Sequence, residues 1–205
     1  MFSFLIYAFY KNNTETRFGT VIANPVLNKN SILTGDLIMQ LVEFNRASSE
    51  DAITFLKHCV QIPSWSTEIV AKRPYASIEA VMELAKQQSA TWTWDEIKAA
   101  LDNHPRIGEK KAQAELSEIE KSFSNREQSS ITADEETQLA LTKGNLAYEK
   151  KYGYIFLIKA AGLNSEEVLQ ALKYRLDNDS ETEKRIVHNQ LAEIALLRLS
   201  QELQA

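Results

Sequence analysis

From Gly35 onward the sequence repeats apolar residues at helical spacing, with capping residues at plausible intervals and few of the turn clusters that would bound strands. That property predicts an all-α chain. Ser48-Ser49-Glu50-Asp51 opens a segment whose Ala52, Phe55, Leu56 and Cys59 share one stripe, and Pro63 ends it. Pro74 and Ser77 separate the next helices, with Ile78, Val81, Met82 and Ala85 on one face and Thr93 capping the turn before Trp94 and Ile97. Trp65, Trp92 and Trp94 read as packing residues. Thr132-Ala133-Asp134-Glu135 and Ser180-Glu181-Thr182-Glu183 both have the form of capping boxes ahead of long amphipathic helices. Gly162 reads as a helix terminus or tight turn, with Ser165 capping the segment after it. Tyr154-Ile155-Phe156-Leu157-Ile158 is an aromatic and β-branched run that periodicity alone reads either as a buried helix or as extended, and an extended piece entering a helix is the favoured reading.

No repeat, low-complexity tract or Gly-Ser linker divides the chain after residue 35. With 205 residues, 44% of them hydrophobic, one well-buried core is expected, so residues 36–205 are read as a single-domain multi-helix bundle and residues 1–35 as a leader. The apolar run from Phe2 to Tyr10 is far short of the ~20 residues that span a bilayer. It also lacks a basic lead-in. A net charge of -5 argues against nucleic acid, whose phosphates call for clustered Lys and Arg. Cys59 stands alone, which excludes an internal disulfide, and no Cys and His spacing suits a zinc site. A cytoplasmic setting without a membrane partner is therefore expected, and the final Gln204-Ala205 is not a peroxisomal address.

Two charges fall where apolar residues belong. Val187, Leu191 and Ile194 form a seam whose next step, four residues on, is Arg198. Leu116, Ile119 and Phe123 lead in the same way to Glu127. An unpaired buried charge is costly, so Glu127 and Arg198 should meet each other, a ligand or trapped water, and an interhelical ion pair is the structural alternative to a site. A proton-transfer group is available in His104-Pro105-Arg106-Ile107-Gly108, where an imidazole precedes a proline and a glycine. His58 and His188 have no comparable setting.

Four motifs taken together carry more than any one alone. They are His104-Pro105-Arg106-Ile107-Gly108, Ser124-Asn125-Arg126-Glu127-Gln128, Asn145-x-x-Tyr148-Glu149-x-x-Tyr152-Gly153-Tyr154-x-Phe156-Leu157-Ile158, and Leu197-Arg198-Leu199. In order and spacing they resemble the OHCU decarboxylase family, whose substrate is 2-oxo-4-hydroxy-4-carboxy-5-ureidoimidazoline (OHCU), from about Leu37 to Leu203. Phe44-Asn45, Trp65 and Arg73-Pro74-Tyr75 add to the likeness. The resemblance implies an all-helical fold, no metal and no organic cofactor, a small-molecule substrate and a homodimer. It also implies decarboxylation of OHCU to (S)-allantoin in urate catabolism.

Carried over by position, the resemblance makes His104, Glu127 and Arg198 catalytic. It lines the substrate with Pro105, with Ser124, Asn125, Arg126, Glu127 and Gln128, and with the main chain of Phe156, Leu157, Ile158, Lys159 and Ala160. Lys159 and Gln128-Ser129-Ser130 depart from the pattern of relatives, and Lys159 either points to solvent or adds a cation that alters substrate preference. Two other readings compete. One is a catalytically silent helical interaction module, in which the inward charges only specify packing; the other is a decarboxylase for a related ureido acid. Convergence of His104, Glu127 and Arg198 on one solvent-reachable cavity favours an enzyme, and their dispersal favours the module.

Overall fold

The computed structural model describes residues 38–102, 107, 118–128 and 134–205, with the backbone alone at 118–121 and 124. The leader expected at residues 1–35, His104, Pro105 and the side chain of Ser124 lie outside the described residues. Nine helices follow one another among the described residues: α1 (Leu41–Arg46), α2 (Ser49–Cys59), α3 (Pro63–Ala71), α4 (Ile78–Ser89), α5 (Trp94–Leu101), α6 (Glu118–Glu127), α7 (Glu135–Tyr152), α8 (Ser165–Arg175) and α9 (Ser180–Glu202). The all-α expectation holds. Two short strands, β1 (Met39–Gln40) and β2 (Leu203–Gln204), pair in parallel, Met39 with Leu203 and Gln40 with Gln204, and bring the residues before α1 beside those after α9.

α9 is the spine of the bundle. Its 23 residues pack against α2, α4 and α5, and Val187, Leu191, Ile194, Ala195 and Leu199 are buried along it. The predicted stripes face this core: Ala52, Phe55, Leu56 and Cys59 on α2, Val81 and Ala85 on α4, and Ile97 on α5 are all buried. Trp65 and Trp92 are buried in edge contact, and the Trp65 indole donates to the Ala85 carbonyl (2.8 Å). His188 stacks on Trp92 with its Nε2 2.7 Å from the Ser89 carbonyl, which gives that imidazole a packing role.

Most helix starts fall where the sequence places them. Ser48, Ser77 and Thr93 cap α2, α4 and α5. Others differ by a residue or two. Pro63 stands in the first turn of α3 rather than at the end of α2, where its missing N–H costs no hydrogen bond. α7 is capped by Asp134, and α8 by Asn164, which forms a capping box with Glu167. Asp179, not Ser180, caps α9, because its carboxylate accepts from the amides of both Glu181 and Thr182. That shift frees Glu183 from capping and turns it into the core.

The motif residues of the N-terminal half are architectural. Arg73 donates to the carbonyls of Phe44 (2.6 Å) and Ala47 (2.9 Å), while Asn45 and the Tyr75 main chain exchange two hydrogen bonds. They fasten α1 to the turn before α4. On the other side, α7 and α8 approach so closely at Gly144 that a Cβ there would lie 2.5 Å from the Leu172 side chain. α7 ends at Gly153, whose φ of 79° satisfies the left-handed terminus. Residues 155–160 then run without helix, as expected, and pass through a turn at Gly162 before α8.

Candidate active site

Arg198 and Glu127 meet. Arg198 lies in the C-terminal part of α9 on its buried seam and Glu127 ends α6, and the two form a bidentate pair: Nε donates to Oε1 (2.6 Å) and Nη2 to Oε2 (2.9 Å). The fork geometry fixes both planes. The remaining Nη1 donates to the Cys59 carbonyl at the end of α2 (3.3 Å), so the guanidinium ties three helices. Side-chain exposure is 8% for Arg198 and 15% for Glu127, which leaves the carboxylate a path to solvent.

Phe123 completes this cluster. One turn before Glu127, its buried ring lies under the guanidiniums of Arg198 (4.9 Å) and Arg126 (5.0 Å), an arrangement that favours cations over the ring face. Arg126 in turn donates to Glu202 at the end of α9 (2.6 Å). Asn125 is exposed and Gln128 half-buried beside them. Cys59 packs behind the pair, and burial, opposed by Arg198 and reinforced by Glu202, pushes its thiol up to about 12. It is therefore a neutral core group, as its stripe predicts.

The segment containing His104 is bracketed by two anchored residues. Leu101 is buried at the end of α5, and Ile107 is buried with its carbonyl accepting from Asn145 of α7 (3.0 Å). Asn145 is the first residue of the motif that continues to Tyr148 and Gly153, so that motif anchors Ile107 to α7.

The extended stretch 156–160 packs along α9. Phe156, Leu157 and Ala160 are buried and Ile158 is half-buried. The Lys159 amide donates to Gln190 Oε1 (2.8 Å), and the Lys159 ammonium turns outward to Glu193 (2.9 Å), in line with the solvent-facing option read from the sequence. Gln190 stands eight residues before Arg198 on the same helix, roughly 12 Å of rise.

A second buried cluster, missed in the sequence, fastens this stretch from behind. Arg175 donates to the Leu157 carbonyl (2.8 Å) and to Glu183 Oε1 through Nε (2.8 Å), with Nη2 at 2.6 Å from the same oxygen. The Tyr148 hydroxyl donates to that oxygen as well, and Asn178 donates to Oε2 (2.7 Å). The Arg175 guanidinium lies 4.5 Å from the Phe156 ring centroid. Burial, then the hydrogen bond to Glu183, raises the Tyr148 pKa well above its usual value. Val168, Leu172 and Arg175 are spaced as one apolar stripe, so the stepping rule that finds Arg198 would also have found Arg175.

None of the predicted site residues that are described lines the shallow hollow of about 580 Å³ bordered by Thr137 of α7 and Asn164, Leu169 and Lys173 at and along α8. Among the described residues no group of three or more His, Cys, Asp or Glu could hold a metal ion, and no helix is long and apolar enough to cross a membrane.

Several known proteins are similar to this chain. The profile described as OHCU decarboxylase matches residues 45–200. The uric acid degradation bifunctional protein of Bacillus sp. (strain TB-90) is 26% identical over 165 residues, covering 80% of this chain and 32% of that protein. The chain thus spans about a third of that relative. The 2-oxo-4-hydroxy-4-carboxy-5-ureidoimidazoline decarboxylase of Haloferax volcanii is 22% identical over 164 residues, covering 80% of this chain and 95% of that one. In fold, a crystal structure of OHCU decarboxylase in the presence of (S)-allantoin aligns with a TM-score of 0.59 at 22% identity, over 75% of this chain and 96% of that one.

Proposed function

The chain belongs to the OHCU decarboxylase family, and from that premise we propose that it decarboxylates OHCU to (S)-allantoin in urate degradation. The observation that carries the reading is the family match over residues 45–200, and the bidentate Arg198–Glu127 pair, brought from distant helices to one partly open place, is consistent with it. The pair alone also suits a silent module, in which inward charges specify packing; the family match is what favours the enzyme.

Decarboxylation breaks the bond to the carboxyl carbon and leaves an electron pair that the substrate's own conjugated ring can delocalise. The protein adds placement of the carboxylate out of the ring plane, neutralisation of the developing enolate-like charge, and a proton delivered to one face. In this proposal His104 is the acid/base group, Glu127 grips ring or ureido nitrogens, and Arg198 balances the delocalised anion. Holding the departing carboxylate too tightly would stabilise the ground state, so Arg198 favours the later anion. By the family resemblance, Pro105 and Ser124, Asn125, Arg126 and Gln128 line the substrate. The main chain of residues 156–160 supplies amides, of which that of Lys159 is reached only by displacing Gln190. A homodimer built from residues 36–205 and a cytoplasmic location belong to the same proposal.

The test uses freshly generated OHCU followed by circular dichroism. Spontaneous decay gives racemic allantoin, so the protein should accelerate the reaction and leave a signal of one hand. Decay at the spontaneous rate with no optical signal would contradict the reading. Replacing His104 by Asn in a normally folded protein should abolish acceleration and stereochemical output together.

A further inference from the structure

Glu202 occupies a place that is hard to justify by packing. It is the last residue of α9 and only 1% exposed, so its carboxylate is both removed from water and set at the helix end whose dipole repels anions. One oxygen, Oε1, accepts from Arg126 at 2.6 Å, and Oε2 has no hydrogen-bond partner among the described residues. The carboxylate is felt at Cys59, whose thiol Glu202 and Arg198 push in opposite directions. A leucine would continue the Ile194, Ala195 and Leu199 seam at lower cost.

The role of the carboxylate is visible from α6. Neighbouring residues Arg126 and Glu127 engage two α9 residues four positions apart, Glu202 and Arg198, with Phe123 beneath both guanidiniums. Without Glu202, the Arg126 guanidinium would lose this anchor one residue from Glu127 and could compete with Arg198 for that carboxylate. The β1–β2 ladder grips α9 immediately after Glu202, through buried Met39 and Leu203, so this anchor does not drift. Glu202 and both strands lie outside the residues that the family profile matches.

We propose that Glu202 is a positioning residue: through Arg126 it sets the last turn of α6 against α9, so that Glu127 is held by Arg198 in fork geometry and not drawn away by Arg126. The inference rests on the decarboxylase reading for its catalytic consequence, but its structural half can be read without substrate. In Glu202→Leu, kcat should fall about 10- to 100-fold, the scale of an ångström-level misplacement, with KM changed less than about threefold. Glu202→Gln keeps a hydrogen-bond acceptor for Arg126 and should lose less. Arg126→Leu combined with Glu202→Leu should be no worse than the poorer single variant, because the two act as one unit.

The substrate-free measurement is the NMR signal of the Arg198 Nε–H, identified by its disappearance in Arg198→Lys. It should exchange with water faster in Glu202→Leu than in the unaltered protein, and stay close to it in Glu202→Gln. Unchanged exchange with unchanged kcat in Glu202→Leu, or single losses that simply add in the double variant, would overturn the proposal. Should Glu202→Leu fail to fold, Glu202→Gln and the double variant decide by the same two readouts. An unaltered protein inactive on OHCU would count against the decarboxylase reading, while the exchange rates would still decide the positioning role.

Discussion

The molecule contains two inward Arg–Glu pairs, and they are built differently. Arg175 and Glu183 are sealed, at 6% and 0% side-chain exposure, and both oxygens of the carboxylate are taken by Arg175, Tyr148 or Asn178. Arg198 and Glu127 are more open, at 8% and 15%, and one partner comes from the short helix α6 rather than from the α7–α8 side of the bundle. Both oxygens of Glu127 are also taken, by Arg198, so the difference is exposure: a sealed pair specifies structure, since nothing can reach it. A pair with an open edge keeps its charge available to something that enters.

Arg175→Met leaves the Glu183 charge buried without its cation and the Leu157 carbonyl without its donor, and should cost about 3–5 kcal/mol of stability, read as a lower urea midpoint. Adding Glu183→Leu should recover part of that loss, because replacing both partners by apolar groups removes the stranded charge. Arg198→Met should instead cost roughly 10²- to 10³-fold in kcat/KM on OHCU, the scale of losing one group that stabilises developing charge. Adding Glu127→Leu should restore none of it.

Smaller effects sharpen the contrast. Asn164→Ala removes the cap of the helix that carries Arg175 and should lower stability by about 1 kcal/mol while leaving kcat/KM of the folded protein unchanged. The dryness behind Arg198 can be read at Cys59. Its thiol is raised from an ordinary 9.0 to about 12 by burial, so its contribution to stability is complete below pH 9 and drains away between pH 9 and 12, as the unfolded chain ionises and the folded one does not. Urea midpoints over that range should fall more steeply for the unaltered protein than for Cys59→Ala.

The open pair was legible in the sequence because each of its members continues an apolar stripe by one more helical step. Arg198 follows Ile194, and Glu127 follows Phe123, so both announce themselves as charges on a buried face. The sealed pair obeyed the same rule at Arg175 but was hidden at Glu183. There Ser180-Glu181-Thr182-Glu183 imitates a capping box, and the stronger cap at Asp179 starts the helix one residue earlier and turns Glu183 inward. Glu202 was missed for another reason: it sits one step beyond Arg198 on the seam, where the helix end makes any charge look like a surface residue. Helix order, the extended run before α8 and the main stripes were readable because they depend on local period and capping. Which buried charges pair across helices depends on contacts between residues up to 76 positions apart, which local spacing does not encode.

The most direct test sets Arg198→Met beside Arg175→Met, each assayed for OHCU turnover by circular dichroism and for unfolding in urea on the same preparation. Arg198→Met should lose roughly 100-fold or more in kcat/KM, with a smaller fall in urea midpoint than Arg175→Met shows, and the remaining folded Arg175→Met protein should turn over with far less loss. Near-normal turnover by folded Arg198→Met would contradict this.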